Sequence, residues 1–147
     1  MLIEINDILP LSVNAAYRTW KGRILISKRG RDFKKDIAKV LECYTNHKII
    51  GNIKMSIEYF FKDKRCRDID NYQKVLIDCM KDILFEDDKM IDELYLKKHI
   101  GCGFNKIIIN INKIDTNNSN NSNNFNNSTT NNFNYTDDTD DTNDTDN

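Results

Sequence analysis

The chain has 147 residues, 39% hydrophobic and 31% charged. That is enough for one modest domain, and no apolar run approaches the ~18 residues of a membrane span. Its formal charge of −1 hides a division: all 22 Lys and Arg precede Asp115, while seven of the 23 acidic residues lie from Asp115 onward, so residues 1–114 carry +6 and the rest −7. A basic domain favours a polyanionic partner such as nucleic acid, although charge alone also serves solubility.

Leu2, Ile3, Ile5 and Ile8 predict a short first strand. Pro10, Asn14 and Gly22 then break regular structure, so Leu9 to Arg23 reads as a loop carrying Tyr17, Arg18, Trp20, Lys21 and Arg23. Ile24 to Ser27 reads as a small strand. Lys28 to about Asn46 reads as an amphipathic helix, with Phe33, Ile37, Val40, Leu41 and Tyr44 at helical spacing and a basic opposite face.

Asn52 to Phe61 has the cleanest strand alternation, with Met55, Ile57, Tyr59 and Phe61 on one face. After the basic loop Lys62–Arg67, a helix is predicted from about Asp70 to Leu84. Its buried stripe is Tyr72, Val75, Leu76, Cys79, Met80 and Ile83. Asp70 suits the start of that helix, for capping and for the helix dipole. Leu94–His99 and Lys106–Ile114 supply two last strands. The order β-β-α-β-α-β-β predicts an α+β domain over residues 1–114, with a mixed sheet and two helices packed on one face.

Residues 115–147 comprise thirteen Asn, seven Thr, seven Asp and three Ser, with only Phe125, Phe133 and Tyr135 as large apolar groups. So little apolar surface does not offset the entropy of ordering, and this segment is expected to be a disordered low-complexity tail. Four widely spaced cysteines and no signal-peptide pattern predict reduced thiols in an intracellular setting: cytoplasm, nucleoid or nucleus, or a viral replication compartment. His99 and Cys102 form one H-x-x-C pair, short of the about four ligands that zinc takes.

The stretch richest in chemistry is R-C-R-D-I-D-N-Y-Q-K, from Arg65 to Lys74, followed by Glu86-Asp87-Asp88. Asp70, Lys74 and Asp78 recur every four residues and share a helix face. Asp68 stands just ahead of that helix. A return of the chain that brings Asp88 to the same end would gather carboxylates suited to magnesium, a hard cation that takes oxygen ligands at about 2.0–2.1 Å. Such a site polarises a phosphodiester and activates water, and a lysine beside it steadies developing charge on phosphate. Asp87 stands as a further ligand or as an orienting neighbour. Asp78, Asp82 and Asp92 read as solvated. The bland alternative is a surface ion pair of about 0.2–0.5 kcal/mol beside an acidic turn.

Two segments together resemble the RusA family of Holliday junction resolvases. One is L-P-L-S-V-N-A-A-Y-R with Gly22-Arg23, Ser27 and Phe33; the more specific one is R-D-I-D-N-Y-Q-K with the later E-D-D. The resemblance implies a RusA-like, homodimeric, magnesium-dependent endonuclease, with Mn2+ as a substitute, that nicks opposing strands of a four-way DNA junction in recombination and repair. It implies Asp68, Asp70 and Asp88 as catalytic, metal-binding acids and Lys74 as the essential lysine. The family's arginine-rich run is diluted here by Asp63 and Cys66, and the Asn-rich tail has no family counterpart. Arg18, Arg23, Arg65 and Arg67 are the expected DNA contacts. Tyr17 and Trp20 are placed to stack on an unpaired base, with packing on the domain as the alternative for Trp20. Competing functions are a nuclease for other branched or flapped DNA, and a non-catalytic junction-binding protein with a structural ion. A D-x-D transferase fits less well, since no nucleotide-binding glycine loop is present.

Overall fold

The structure, a computed structural model, describes residues 1–114; the segment 115–147, expected to be a disordered tail, lies outside the described residues. In chain order the elements are β1 (Leu2–Asn6), α1 (Val13–Ala16), β2 (Tyr17–Trp20), β3 (Arg23–Ile26), α2 (Lys28–Leu41), β4 (Ile53–Phe61), α3 (Asp70–Met80), β5 (Ile91–Ile100) and β6 (Lys106–Lys113). Four strands form one sheet in the order β1-β6-β4-β5, and β2 pairs with β3 in a separate hairpin. The sheet is mixed, because β4 runs antiparallel to β6 but parallel to β5. The α+β expectation therefore holds.

Period-two alternation builds the core. Ile3 and Ile5, Ile53 to Phe61 at every second residue, and Ile107, Ile109 and Ile111 are buried on one face of the sheet. Phe33, Ile37 and Leu41 of α2 and Val75, Leu76, Cys79 and Met80 of α3 join the same cluster. The opposite sheet face carries cross-strand ion pairs instead: Lys54 with Glu93, Lys97 with Glu58, and Lys106 with Glu4. On that face Phe60 stacks on His99 with ring centres 4.3 Å apart. His99 also bonds Glu58 at 2.9 Å.

Three local expectations need correction. Leu9–Arg23 is not a loop: α1 occupies Val13–Ala16, and Tyr17–Trp20 is a strand in full antiparallel register with Arg23–Ile26. The two linking residues, Lys21 and Gly22, both have positive φ (49° and 72°), the backbone twist a two-residue hairpin loop needs. Secondly, α2 stops at Leu41, its last buried residue, and tightens into a 3-10 turn over Glu42–His47. There the Cys43 and Thr45 side chains donate to the carbonyls of Val40 and Glu42, a local competition with helical geometry. Thirdly, α3 ends at Met80 rather than Leu84. Asp82 takes φ 69° and its N–H bonds the Phe85 carbonyl, a turn that drives Leu84 and Phe85 into the core.

Ser27 fixes the start of α2. Its hydroxyl accepts from the Gly30 N–H at 3.0 Å and donates to the Ala15 carbonyl at 2.7 Å, tying α1 to α2. Gly30 lies so close to α1 that an added Cβ would stand 2.5 Å from the Ala16 carbonyl oxygen. No described helix is long and apolar enough to cross a membrane.

Candidate active site

The approach to the site is the loop between β4 and α3. Arg67 donates to both carboxylate oxygens of Asp63, at 2.6 and 3.0 Å, and its guanidinium lies 4.3 Å over the Phe61 ring. Lys98 of β5 donates to the Arg67 carbonyl. Asp63, an interruption of the basic run in sequence, is thus the residue that shapes the loop. The Arg67 hydrogen bonds, helped by the Arg65 N–H, pull its carboxyl down to about 2. Arg65 itself projects, with 83% of its side chain exposed, against 11% for Arg67. Arg18 and Arg23 are exposed on the β2–β3 hairpin. Trp20 is also exposed there, with the Lys21 ammonium 4.6 Å from its ring centre.

The loop delivers Asp68 and Asp70 to the N-terminal end of α3, both exposed. Asp70 occupies the first turn but makes no cap; Ile69 stands at the cap position without a side-chain bond. The capping expectation fails, while the first-turn position still suits a carboxylate beside the positive helix end. Among the described residues neither Asp68 nor Asp70 has an ion-pair partner.

The second acidic cluster enters from the turn after α3. Asp87 spends both oxygens structurally. Oδ1 accepts from the Lys89 N–H at 3.0 Å, capping a 3-10 turn over Asp88–Met90, and Oδ2 accepts from Lys81 at 3.1 Å. The Lys89 N–H and then Lys81 hold the Asp87 carboxyl at about 2. Asp87 therefore orients the turn that presents Asp88. The Lys74 ammonium donates to Asp88 Oδ2 at 2.9 Å and lies 3.0 Å from Asp78 Oδ1. Hydrogen bonds to Asp88 and then Asp78 raise the Lys74 pKa. Tyr17, at the base of the hairpin, donates to the other Asp78 oxygen at 3.4 Å. Burial, and then the Asp78 charge, raises the Tyr17 pKa.

Lys74 and Asp88 face a cleft of about 370 Å3 between α3 and the start of β5, floored by Ile77 and Leu94. The structure thus brings together Lys74, Asp88 and Asp78, with Asp70 one helical turn from Lys74. It does not close the three expected metal ligands on one point. Among the described residues no three His, Cys, Asp or Glu are grouped to hold an ion. The parallel pairing of β4 and β5 explains this. Asp68 and Asp70 follow the C-terminal end of β4, whereas Asp88 precedes the N-terminal end of β5. α3 carries the chain back between the two, and Asp88 arrives against Lys74, a turn past Asp70. In chemistry the donors fit a hard divalent cation, since all three are carboxylates and two are unpaired. In geometry Asp88 is held by an ammonium.

Sequence reading missed Asp78 and Tyr17, treating the first as solvated and the second as a loop residue. The i,i+4 step from Lys74 to Asp78 was visible; the approach of Tyr17 from 61 residues away was not. His99 is engaged by Glu58, and among the described residues it stands in no cluster of three potential metal ligands.

The family model described as endodeoxyribonuclease RusA matches residues 8–112. The chain is 28% identical over 97 residues to the crossover junction endodeoxyribonuclease RusA of Escherichia coli, covering 64% of this chain and 81% of that protein. It is 29% identical over the same length to the crossover junction endodeoxyribonuclease of Enterobacteria phage 82, with the same coverage. The match runs from the segment before α1 almost to the end of β6 and takes in every acidic and basic residue of the cleft. This chain therefore belongs to the RusA family of endodeoxyribonucleases, enzymes that cut phosphodiester bonds in DNA.

Proposed function

We propose that this endonuclease resolves four-way DNA junctions as a divalent-metal-dependent homodimer, in recombination and repair. The observation that carries the reading is the meeting of Lys74 with Asp88 at 2.9 Å on the α3 face that also bears Asp70. In this reading Asp68, Asp70 and Asp88 are the candidate metal ligands, although their side chains are not gathered on one point. When bound, a magnesium or manganese ion supplies polarisation of the scissile phosphodiester and a lowered pKa for an attacking water. Lys74 places a fixed positive charge where negative charge develops on the phosphate or the leaving oxygen. Arg18, Arg23 and Arg65 contact the DNA backbone from the hairpin and the loop. Arg67 holds the loop that presents Arg65 and offers its remaining surface to phosphate. A junction has near two-fold symmetry and needs two matched cuts, which two identical sites in a C2 dimer provide.

The test is cleavage of an end-labelled four-way junction with Mg2+ or Mn2+, beside a linear duplex of the same sequence. Paired symmetric nicks in the junction alone are expected. Cutting of flaps without junctions would replace the substrate class, and tight junction binding without any cut would leave a binding protein. Sedimentation of the free protein checks the dimer.

A further inference from the structure

One face of the β2–β3 hairpin is built unlike the rest of the surface. Side chains alternate along a strand, and cross-strand partners share a face. Trp20 is paired with Arg23, and Arg18 with Leu25. That face therefore gathers Arg18, Trp20, Arg23 and Leu25, all of them exposed. Trp20 is 58% exposed, so packing on the domain is not what holds it. The Lys21 ammonium lies 4.6 Å from its ring centre. Among the described residues, none of Arg18, Lys21 and Arg23 is ion-paired.

The hairpin also stands next to the active-site residues. Tyr17 at its base donates to Asp78, which pairs with Lys74. Trp20 lies three residues further along β2, about 10 Å at the usual strand rise. The two-residue turn at Lys21 and Gly22, both with positive φ, closes the hairpin just beyond it. A large flat ring is thus held at the tip, between guanidinium groups, a short way from Lys74.

That combination fits nucleic acid. The arginines match phosphates in charge, and an indole offers a flat surface to a base. In a linear duplex each base pair is covered above and below by its neighbours. A base face is open only where the stack is interrupted, at an end or at a branch. Resting on the branched-DNA reading above, we propose that Trp20 stacks on a base face at the branch point while Arg18 and Arg23 hold the flanking phosphates. Trp20 is then the residue that favours branched over linear DNA, and its fixed distance from Lys74 helps to set where the cut falls.

Trp20 is the one tryptophan of the chain, so its fluorescence reports on this contact alone. The test titrates the full chain, with EDTA present, with a four-way junction and with a long linear duplex of related sequence. Saturating junction should quench the emission, and saturating duplex should leave it nearly unchanged. Trp20→Thr keeps a strand-favouring residue but removes the ring. It should weaken junction binding at least about fivefold, with duplex binding and the salt dependence of junction binding unchanged. Trp20→Phe should recover most of the loss. Arg18→Ala should instead flatten the salt dependence, by about 0.9 in the logarithmic slope. Equal quenching by both DNAs would overturn the proposal. So would a Trp20→Thr protein with a normal thermal transition that binds the junction as wild type does, or that loses junction and duplex binding equally. A flattened salt slope in Trp20→Thr would mean that the ring only places the neighbouring charges, and would overturn stacking. Wild type that binds junction no better than duplex would remove the branched-DNA reading itself, and the proposal with it.

Discussion

Lys74 and Asp88 are fourteen residues apart in the chain, and their charged ends stand 2.9 Å apart. The contact joins the middle of α3 to the turn that opens β5, and it exists because Leu84 and Phe85 anchor that turn in the core. It pairs the one lysine in the D-x-D-N-x-x-K stretch with the last acid of E-D-D. Much of the enzyme's chemistry should be readable from variants around it.

Asp70→Asn should abolish cutting, by more than about a hundredfold, while junction affinity holds or tightens because repulsion from phosphate falls. Parallel cleavage and gel-shift titrations check this. Loss of binding together with cutting would give Asp70 a part in DNA contact.

Arg65 and Arg67 should separate. Arg65→Ala removes an exposed charge and should flatten the salt dependence of junction binding, by about 0.9 in the logarithmic slope for each lost phosphate contact, with the thermal midpoint unchanged. Arg67→Ala breaks the Asp63 pair and the Phe61 stack, so it should lower the thermal midpoint as well. Filter binding at several salt concentrations, with circular dichroism melts, tells them apart.

Gly30→Ala should destabilise the domain by about 1–3 kcal/mol, the usual cost of forcing a methyl into a packed contact. The Ala16 carbonyl that blocks it belongs to backbone and does not rotate away. Urea unfolding measures the loss.

Acid should loosen the β4–α3 loop. Arg67 and then the Arg65 N–H hold the Asp63 carboxyl at about 2 when folded, below the unfolded value of about 3.9. A depressed folded pKa gives stability that is complete above the unfolded value and is lost as pH falls toward the folded one. Asp63→Asn should therefore melt earlier than wild type near neutral pH, and the gap should shrink between about pH 4 and 2. A gap independent of pH would mean that the pair contributes nothing through charge.

Removing residues 115–147 should leave the domain's stability within about 0.5 kcal/mol of the full chain. The buried residues run from Ile3 to Ile111, and β6 is already paired on both sides by β1 and β4. A lost cooperative melt on truncation would show that the segment takes part in folding.

Much of the fold was legible because the sheet is buried on one side only. That forces the alternation of Met55, Ile57, Tyr59 and Phe61, and of Ile107, Ile109 and Ile111, which a reader can count. The hairpin was not legible for the converse reason. Arg18, Trp20, Ile24 and Leu25 are exposed, so no core face stamps a period on them. Backbone pairing and a Lys-Gly turn make the strands, and Lys-Gly is a weaker signal than Asn-Gly. The acids were legible as residue types but not as a spatial set. Sequence spacing places Asp70, Lys74 and Asp78 on one face, and Lys74 bears out that spacing through its 3.0 Å contact to Asp78. Where Asp88 arrives depends on β5 lying parallel to β4, a choice made by long-range pairing.

The ion pairs across the open sheet face have an effect beyond that face. Lys54, Lys97 and Lys106 are each matched by a glutamate there, whereas Arg18, Lys21 and Arg23 on the hairpin have no such match among the described residues. The hairpin thus carries positive charge that no described acid offsets. Charge left free there feels the field of a polyanion within a Debye length, before any atoms touch.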